Sequence, residues 1–489
     1  MNYLCIDVGT TGCKCQVFSG RGEILGYFFE EYEFRRTGSE IYVDADAIRE
    51  KVRAMIARAA AGRKISSVCI SSLGESFVLL DKEDNILFYP MLYTDPRGEE
   101  EAAEIAARTG AERAFAVTGV FPHSMYSFSK LLWIKKHRPE LFARADKVML
   151  IGDYLGYLLT GKRAIDYALA ARTGAFDVEK LVFSEELLAP FGISSSLFSA
   201  PMRAGSIVGG IGGEFAKGLG LDGAVLVLGS HDQVCAALGA GALKAGDAAD
   251  GMGTVECITV LFDRRTENAE MGRQGYPCVP YAEEGMFCTY ILNYSCGSTV
   301  NWFRKKLLHG YRGEEADFFS YIEKGMPEGP TGILLLPYFG GAGTPYQDLN
   351  AKGAVVNLTT ETSDAMVYKA IMEGTAMEMR LNAETAGRYG ITVKNVVATG
   401  GGANSDAWLQ IKADIQDIPV RALRSSEGGL CGCAMLSAVA LGGADNLEEA
   451  REIFVRYRKE FLPDPAAGKV YRAQYGKYKK LYHCIKEMF

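Results

Sequence analysis

Asp232 stands where a predicted buried strand meets a predicted helix. The apolar run Val225-Leu226-Val227-Leu228 predicts a short strand, the polar run Gly229-Ser230-His231-Asp232-Gln233 follows it, and small residues over 234–240 predict a helix. A carboxylate in this position is suited to act as a general base, and it is equally suited to cap the helix as its N-cap residue. The local sequence leaves both roles open for Asp232, whereas His231 is more simply a packed or hydrogen-bonded residue.

The turn Asp7-Val8-Gly9-Thr10-Thr11-Gly12 is suited to hold an anion. It presents backbone N–H groups, two hydroxyls and the nearby Lys14, while Asp7 at a strand end is suited to hold Mg²⁺ through water. A plain hairpin turn explains the glycines equally well. A P-loop and a dinucleotide-binding fingerprint are disfavoured, because both need a helix after the glycines and residues 13–18 look extended. The pattern recurs at Gly251-Met252-Gly253-Thr254, and two such hairpins facing one cleft would grip a triphosphate from both sides.

Three consecutive glycines follow a predicted strand over 395–399, in the run Thr399-Gly400-Gly401-Gly402-Ala403-Asn404-Ser405. A strand, glycines and a helix start together present free N–H groups and a positive helix dipole to an anion. Asn404 or Ser405 is the predicted N-cap of the following helix. A tight strand-to-helix turn is the alternative explanation, yet three glycines exceed what such a turn requires, so nucleotide contact is an equal candidate.

Two further polar clusters follow predicted strands in the first half of the chain. They are Ser71-Ser72-Leu73-Gly74-Glu75-Ser76 and Tyr93-Thr94-Asp95-Pro96-Arg97. Strand ends of this kind suit hydrogen bonding to a hydroxylated ligand. An exposed turn, or a surface ion pair between Asp95 and Arg97, explains the same residues without a ligand.

These groups are positioned by two halves that look like related units. Each half opens with a glycine hairpin and continues with strands that alternate with helical segments, which predicts an α/β architecture. We place the domain boundary after Leu243, giving domains over 1–243 and 244–489. Because no low-complexity linker separates the halves, we expect them to share a cleft and an extensive interface.

The bulk composition excludes several function classes. The chain has 489 residues and a formal net charge of −7, without any run of five like charges, so neither nucleic acid nor a membrane surface is expected as a partner. The acid Asp7 interrupts the first apolar run, and no stretch is apolar for long enough to span a bilayer. The spacing of the 12 cysteines does not fit a structural zinc site, so we expect reduced thiols and a cytoplasmic protein.

From Asp7 to Gly432 the residues resemble those of the FGGY carbohydrate kinases. The segment Met125-Tyr126-Ser127-Phe128-Ser129-Lys130-Leu131-Leu132-Trp133-Ile134-Lys135-Lys136-His137 fits the family's first signature at every defined position. The second signature fits in part, since Asn357 replaces the usual glycine and Met366 a usual polar residue. The segment over 336–345 looks most like xylulokinases. The pair Gly74-Glu75 differs from the methionine and histidine of xylulokinases, and glycerol kinases carry arginine and glutamate there, with Asp232-Gln233 after the strand.

The resemblance implies two ribonuclease H-like domains, of the actin and hexokinase type, that flank a catalytic cleft and close over ATP and sugar. It implies that Asp232 is the general base. It also implies that phosphates are held by Gly9, Thr10, Thr11, Gly253 and Thr254, and that the nucleotide contacts Gly400, Gly401, Gly402, Ala403 and Asn404. The implied sugar site consists of Gly74, Glu75, Asp95, Arg97, Met125 and Gln233.

The function predicted from the sequence is therefore ATP- and Mg²⁺-dependent phosphorylation of a small sugar, with a ketose such as xylulose as the favoured substrate. A glycerol or polyol kinase is the first alternative, favoured by Glu75 and Gln233 and disfavoured by Gly74. An actin-like nucleotide switch without a sugar substrate is the second, and Asp232-Gln233 and the complete first signature argue against it. Sugar identity, the phosphorylated hydroxyl, the pathway and dimer formation are left undetermined.

Overall fold

The structure, a computed structural model, describes residues 1–308, 311, 313–314 and 317–489. Its first large sheet starts with the antiparallel meander that the turn glycines predict. Two strands then add in parallel beside the first strand, and an antiparallel edge strand completes the sheet. In spatial order the six strands are Ile24–Glu31, Gly12–Ser19, Asn2–Val8, Ser67–Ser72, Val225–Val227 and Ile207–Gly210.

The second large sheet, built from the second half of the chain, repeats this arrangement. It too has an antiparallel meander, two parallel additions and an antiparallel edge strand, with a two-residue strand at its other edge. In spatial order the strands are Val279–Pro280, Phe287–Asn293, Glu256–Phe262, Asp247–Met252, Asn395–Thr399, Val420–Leu423 and Tyr457–Phe461. The predicted α/β fold with two ribonuclease H-like units is therefore confirmed.

Among the described residues, five smaller sheets accompany these two large sheets. One has three strands, Ile86–Phe88, Phe77–Leu80 and Lys147–Leu150. The others are the pairs Arg35–Thr37 with Glu40–Tyr42, Ala164–Asp166 with Ala200–Met202, Phe176–Asp177 with Val182–Phe183, and Leu334–Leu336 with Ala354–Val356.

Helices pack against the two large sheets. In the first half they are Ala45–Ala60, Glu99–Thr109, Ala111–Thr118, Ser127–His137, Pro139–Phe142, Ile151–Thr160, Tyr167–Ala171, Glu185–Leu188 and Asp232–Gly239. In the second half they are Ala269–Arg273, Gly297–Trp302, Phe318–Lys324, Asp364–Gly387, Asp406–Gln416, Gly428–Ala440, Leu447–Phe454 and Pro465–Ile485. Short 3₁₀ turns lie at Ala189–Phe191, Ser195–Leu197, Gly401–Asn404 and Lys486–Met488, and a π-helical turn at Phe303–Leu307.

The strand pairing explains why distant polar segments meet. Asn2–Val8, Ser67–Ser72 and Val225–Val227 run in parallel, so their carboxyl ends lie at one edge of the sheet. A bridge between Ser72 and His231 extends this edge. In the second sheet Gly251 pairs with Thr399, which brings the second hairpin beside the glycine-rich turn.

Two helices with glycine on their facing surfaces join the halves. A Cβ on Gly239, in the helix Asp232–Gly239, would lie 1.9 Å from the carbonyl oxygen of Gly428. A Cβ on Gly432, in the helix Gly428–Ala440, would lie 2.2 Å from the carbonyl oxygen of Cys235. The two backbones approach this closely only because neither glycine has a side chain. Both helices begin at the cleft, so this contact determines how the site residues of the two halves face each other.

Within the described part of the chain, the helices include none that combines the length and the apolar character needed to cross a bilayer.

Candidate active site

Asp232 is the first residue of the helix that starts at the edge of the first sheet. The N-cap residue is His231, and its side chain makes no capping hydrogen bond. Asp232 is therefore not the N-cap, which was the structural alternative to a catalytic role. Its side chain is 30% exposed, and Nε2 of His231 lies 3.2 Å from Oδ1. That oxygen is buried and accepts no well-aligned hydrogen bond within the described residues.

The surroundings of Asp232 disfavour its charged form. Burial raises its pKa to about 7, and the nearby carboxylates of Asp7 and Glu75 add to this effect by repulsion. The backbone N–H of Gln233 and the charge of Arg172 act in the opposite direction. A carboxyl with a pKa near neutrality can accept a proton from a substrate hydroxyl and release it again, which suits general-base chemistry.

Asp7 lies on the same side of the cleft. Ser71 Oγ donates to its Oδ1 at 2.8 Å, and the pKa of Asp7 is raised by burial despite that hydrogen bond and the nearby Lys14. Gly429 of the second half packs against it, since a Cβ there would lie 3.4 Å from the carboxyl carbon. Asp7 thus lies beside the N-terminus of the helix Gly428–Ala440.

The first hairpin turn has the predicted form. The N–H of Gly9 donates to the carbonyl of Gly12 at 3.0 Å, and the hydroxyl of Tyr32 donates to the carbonyl of Gly9. Lys14 on the second strand pairs with Glu427 of the second half at 2.8 Å. In the turn, Thr10 is half-buried and Thr11 is exposed. Lys14 therefore links the two halves beside the proposed phosphate site.

The second hairpin borders a cavity of about 540 Å³, which is within the usual range for small-molecule sites. Of the residues predicted to contact nucleotide, Gly253, Thr254, Gly401, Gly402 and Asn404 line it, while Gly400 and Ala403 do not. Residues from three helices that the sequence did not single out complete the wall, among them Gly297, Asn301, Phe319, Glu323 and Tyr368.

The three glycines of the glycine-rich turn have different structural roles. Gly400 has a φ of +86°, and a Cβ there would lie 2.9 Å from the carbonyl oxygen of Met252. Gly402 also packs on Met252, whereas a Cβ on Gly401 would have no neighbour within 4 Å. Gly400 and Gly402 are thus explained by close packing, and Gly401 leaves its backbone open to the cavity. Ser405 is the N-cap of the next helix, as the sequence predicts.

Glu75 and Arg172 form a buried ion pair in the predicted sugar pocket. The guanidinium of Arg172 donates to Oε1 of Glu75 from Nε at 2.5 Å and also from Nη2. Its Cζ atom lies 5.0 Å from the ring centre of Tyr126 and 5.5 Å from that of Tyr290, which belongs to the second half. Glu75 itself has a φ of +60°, and Ser127 Oγ donates to its carbonyl at 2.6 Å. The loop is thus held in an uncommon conformation by buried partners.

Gly74 leaves space that its neighbours fill. A Cβ at this position would lie 3.1 Å from Cδ2 of His231 and 3.4 Å from Cβ of Arg172. A larger residue at position 74 would have to displace one of them. His231 and Arg172 are therefore the structural reason for glycine here.

Asp95 and Arg97 pair with each other in the interior, and the surface pair considered from the sequence is wrong. The guanidinium of Arg97 donates to both carboxylate oxygens, at 2.8 and 2.6 Å, and to the hydroxyl of Tyr42. The carboxylate also accepts from the N–H of Ile41 at 2.6 Å. Their polar atoms are engaged by the protein, so we expect them to shape the pocket wall.

Met125 and Gln233 are both partly buried, and Gln233 directly follows Asp232 at the cleft. Tyr93, which the sequence did not single out, is 38% exposed, and the nearby carboxylates of Glu75 and Asp232 help burial to raise its pKa. Tyr93 thus faces the same space as the two acids. Arg172 was also missed, and no local pattern in the sequence marks it, since its contacts come from three separate segments.

The chain is similar to known carbohydrate kinases in both sequence and structure. Residues 2–239 match the N-terminal domain of the FGGY family of carbohydrate kinases, and residues 252–441 match its C-terminal domain. The chain is 25% identical to the xylulose kinase of Bacillus subtilis (strain 168), covering 99% of this chain and 97% of that protein. It is 26% identical to the autoinducer-2 kinase of Klebsiella pneumoniae, covering 99% and 94%.

Among solved structures, the ligand-bound xylulose kinase from Lactobacillus acidophilus superposes with a TM-score of 0.90 at 25% identity, covering 99% of this chain and 98% of the other. The two family domains together cover both sheets and both hairpins described above. The chain belongs to the FGGY family of carbohydrate kinases, which transfer a phosphoryl group from ATP to a sugar hydroxyl.

Proposed function

We propose that this kinase phosphorylates a small ketose such as xylulose and that Asp232 is its general base. The observation that carries the proposal is the state of Asp232: a carboxylate at the cleft with a pKa of about 7 and one buried oxygen without a well-aligned donor. Buried polar atoms without a partner are rare in folded proteins. A substrate hydroxyl would supply the missing donor to this carboxylate.

The two hairpins and the glycine-rich turn are proposed to hold the nucleotide. The cavity between Gly253, Gly401 and Asn404 has space for it, and the turn at Gly9 faces the cleft from the other half. Phosphoryl transfer has a charge-rich transition state, so aligned N–H donors contribute mainly by positioning and electrostatic stabilisation. On this proposal, the domain over residues 1–243 binds the sugar and the domain over residues 244–489 binds the nucleotide.

The residues present fit a magnesium ion. The carboxylate of Asp7 helps to raise the pKa of Asp232 by repulsion, which a cation beside Asp7 would relieve. No cluster of three or more ligating side chains exists in the described part of the chain. Mg²⁺ is commonly held by one or two carboxylates together with substrate phosphates, so such a cluster is not required. When bound, the ion would neutralise charge on the transferring phosphoryl group, and Asp7 is the residue proposed to hold it.

Among the predicted sugar-site residues, Glu75 and Gln233 are proposed to supply the polar groups that bind the sugar hydroxyls. Arg172 occupies Oε1 of Glu75, and Oε2 has no hydrogen-bond donor within the described residues. A carboxylate held in this way would accept a sugar hydroxyl, and Tyr93 at the rim has both a donor and an apolar face. Gly74, Asp95, Arg97 and Met125 are proposed to form the surrounding wall.

The alternative substrate is glycerol or another polyol. Glu75 and Gln233 favour this substrate. Gly74 replaces the arginine that glycerol kinases carry, but Arg172 places a positive charge beside Glu75 instead. The xylulose kinases among the similar proteins favour the ketose. A cytoplasmic location and a homodimer remain predictions.

The test is ADP release with ATP and Mg²⁺ against ketoses, aldoses, glycerol and tetritols. We expect stimulation by a ketulose and a loss of about a hundredfold or more in Asp232→Asn, with nucleotide binding retained. Asp222→Asn, an exposed acid ahead of the same strand, is the matched control and should keep full activity. Near-normal turnover by Asp232→Asn would refute the base assignment. Stimulation by glycerol or a tetritol alone would favour the polyol alternative, and turnover without any sugar would argue against both.

A further inference from the structure

Beside Asp232 lies a contact between the two halves that neither the sugar nor the nucleotide site requires. We propose that Tyr290, a residue of the second half, is a positioning residue for the general base: its hydroxyl orients His231, whose ring in turn lies against the carboxylate of Asp232. The inference rests on the proposed function, since it concerns the base named there.

The contact is direct. Tyr290 lies in the strand Phe287–Asn293, and its hydroxyl is 3.1 Å from Nδ1 of His231. The two rings are edge to face, with centres 5.7 Å apart. On the far side of the imidazole, Nε2 lies 3.2 Å from Oδ1 of Asp232. The second half of the chain therefore reaches the general base through a single side chain.

The direction of the hydrogen bonds follows from the neighbours. The thiol of Cys288 donates to the hydroxyl oxygen of Tyr290 at 3.9 Å, which leaves the phenol hydrogen free for Nδ1. Burial, and then the charge of Arg172, lower the pKa of His231 well below its usual range, so the imidazole is neutral. A neutral imidazole that accepts at Nδ1 carries its hydrogen on Nε2. This tautomer places the Nε2 hydrogen on the side of Asp232, whose Oδ1 lies 3.2 Å away without a well-aligned hydrogen bond. The imidazole therefore fixes the position of the carboxylate, while Oδ1 stays open to a substrate hydroxyl.

The ring of Tyr290 is itself held in place. The guanidinium of Arg172 lies 5.5 Å from its centre, and the residue is 8% exposed. Along the strand, Tyr290 pairs with Thr259 of the neighbouring strand Glu256–Phe262, which starts at the second hairpin. The phenol is thus fixed to the sheet that carries the nucleotide hairpin, so the base is fully oriented only when the two halves are correctly docked.

The closing experiment compares Tyr290→Phe with Tyr281→Phe. Tyr281 is a similarly buried tyrosine of the same half, and its hydroxyl donates to the carbonyl of Ala242 at 2.9 Å without contacting the sugar site. Each variant loses one buried oxygen-to-nitrogen or oxygen-to-oxygen hydrogen bond, and Tyr290→Phe also loses the long thiol contact from Cys288. A purely structural role therefore predicts a similar effect for both. We expect Tyr290→Phe to lower kcat about tenfold while KM for ATP changes less than about twofold, and Tyr281→Phe to keep kcat.

A double-mutant cycle with His231→Asn tests whether Tyr290 acts through His231. We expect Tyr290→Phe to have no further effect on kcat in that background, and His231→Gln replaces the partner variant if His231→Asn does not fold. Equal kcat in Tyr290→Phe and Tyr281→Phe, or losses that multiply in the double variant, would overturn the inference. If Asp232→Asn is inactive while Tyr290→Phe is unaffected, only this inference fails. If Asp232→Asn stays active, the proposed base fails first.

Discussion

Replacing Arg172 by Met tests the buried ion pair of the sugar pocket. Glu75 and Arg172 are 3% and 6% exposed, so removing the guanidinium leaves an uncompensated carboxylate in the interior. Breaking a buried pair in this way typically costs about 3–5 kcal/mol. In a domain of this size about 1 kcal/mol corresponds to ~2–4 °C in Tm, so we expect Arg172→Met to melt roughly 6–20 °C below the parent at pH 8.

The loss should depend on pH. Burial already raises the pKa of Glu75 although Arg172 acts to lower it, so removing Arg172 raises that pKa further. The folded state then binds more protons than the unfolded state between the two pKa values, and the stability of the variant falls as the pH rises through this window. At pH 5 the carboxyl can be protonated in the fold, and the deficit relative to the parent should be smaller than at pH 8.

The assay is thermal unfolding of parent, Arg172→Met and Arg172→Met/Glu75→Gln at both pH values. The double variant removes both charges and should recover most of the Tm at pH 8, since replacing both partners avoids the unpaired charge. Sugar binding should remain impaired in both variants, because Glu75 is no longer a held carboxylate. A double variant that melts no higher than the single one, or a deficit that is equal at pH 5 and pH 8, would refute the reasoning.

Three further predictions follow from buried geometry. Gly239→Ala should unfold at least about 10 °C lower than the parent or not fold, since its Cβ would lie 1.9 Å from a carbonyl oxygen. The control Gly387→Ala changes a helical glycine with open space around it and should be neutral or stabilising by up to ~1 kcal/mol. Thermal unfolding of both variants tests this difference. Because the pKa of Asp232 is about 7, kcat/KM for sugar should fall about tenfold per pH unit below that value, and a flat profile from pH 5 to 8 would contradict the base. Lys412→Met, which leaves two buried carboxylates including Glu256 without their cation, should not yield folded protein, and a normal melt would contradict this.

Much of the fold could be predicted locally. The hairpins at Gly9 and Gly253 follow from glycine between two apolar extended runs, and the structure has strands on both sides of each turn. The helix after Asp232 was predicted with its start two residues late. Repetition of one pattern in both halves was enough to predict two related α/β units, because each unit must bury the same kind of sheet.

The residues of the candidate site could be predicted less completely from local sequence patterns. Asp232 and Glu75 stand out as polar residues at strand ends, but Arg172 directly follows the short helix Tyr167–Ala171 and becomes significant only through its contacts. Asp95 and Arg97 could have been a surface pair, which the interior packing of Tyr42 against Arg97 rules out, and their place in the sugar pocket stays a prediction. Packing against Met252 is a second reason for glycine at Gly400 and Gly402, which the sequence did not show, and nucleotide contact at this turn stays a prediction.

The sequence by itself determined which chemical groups are present: the acid after a strand and the glycine hairpins. It also showed the family resemblance that assigns these groups to one active site. These features are encoded in short segments whose spacing along the chain sets their local conformation. Only the tertiary structure decided which residues meet, namely that Arg172 holds Glu75, that Lys14 reaches Glu427, and that Tyr290 touches His231 from the other half. The physical reason is that such contacts depend on strand register and on the glycine-to-glycine approach of two helices, and neither is specified by any one segment.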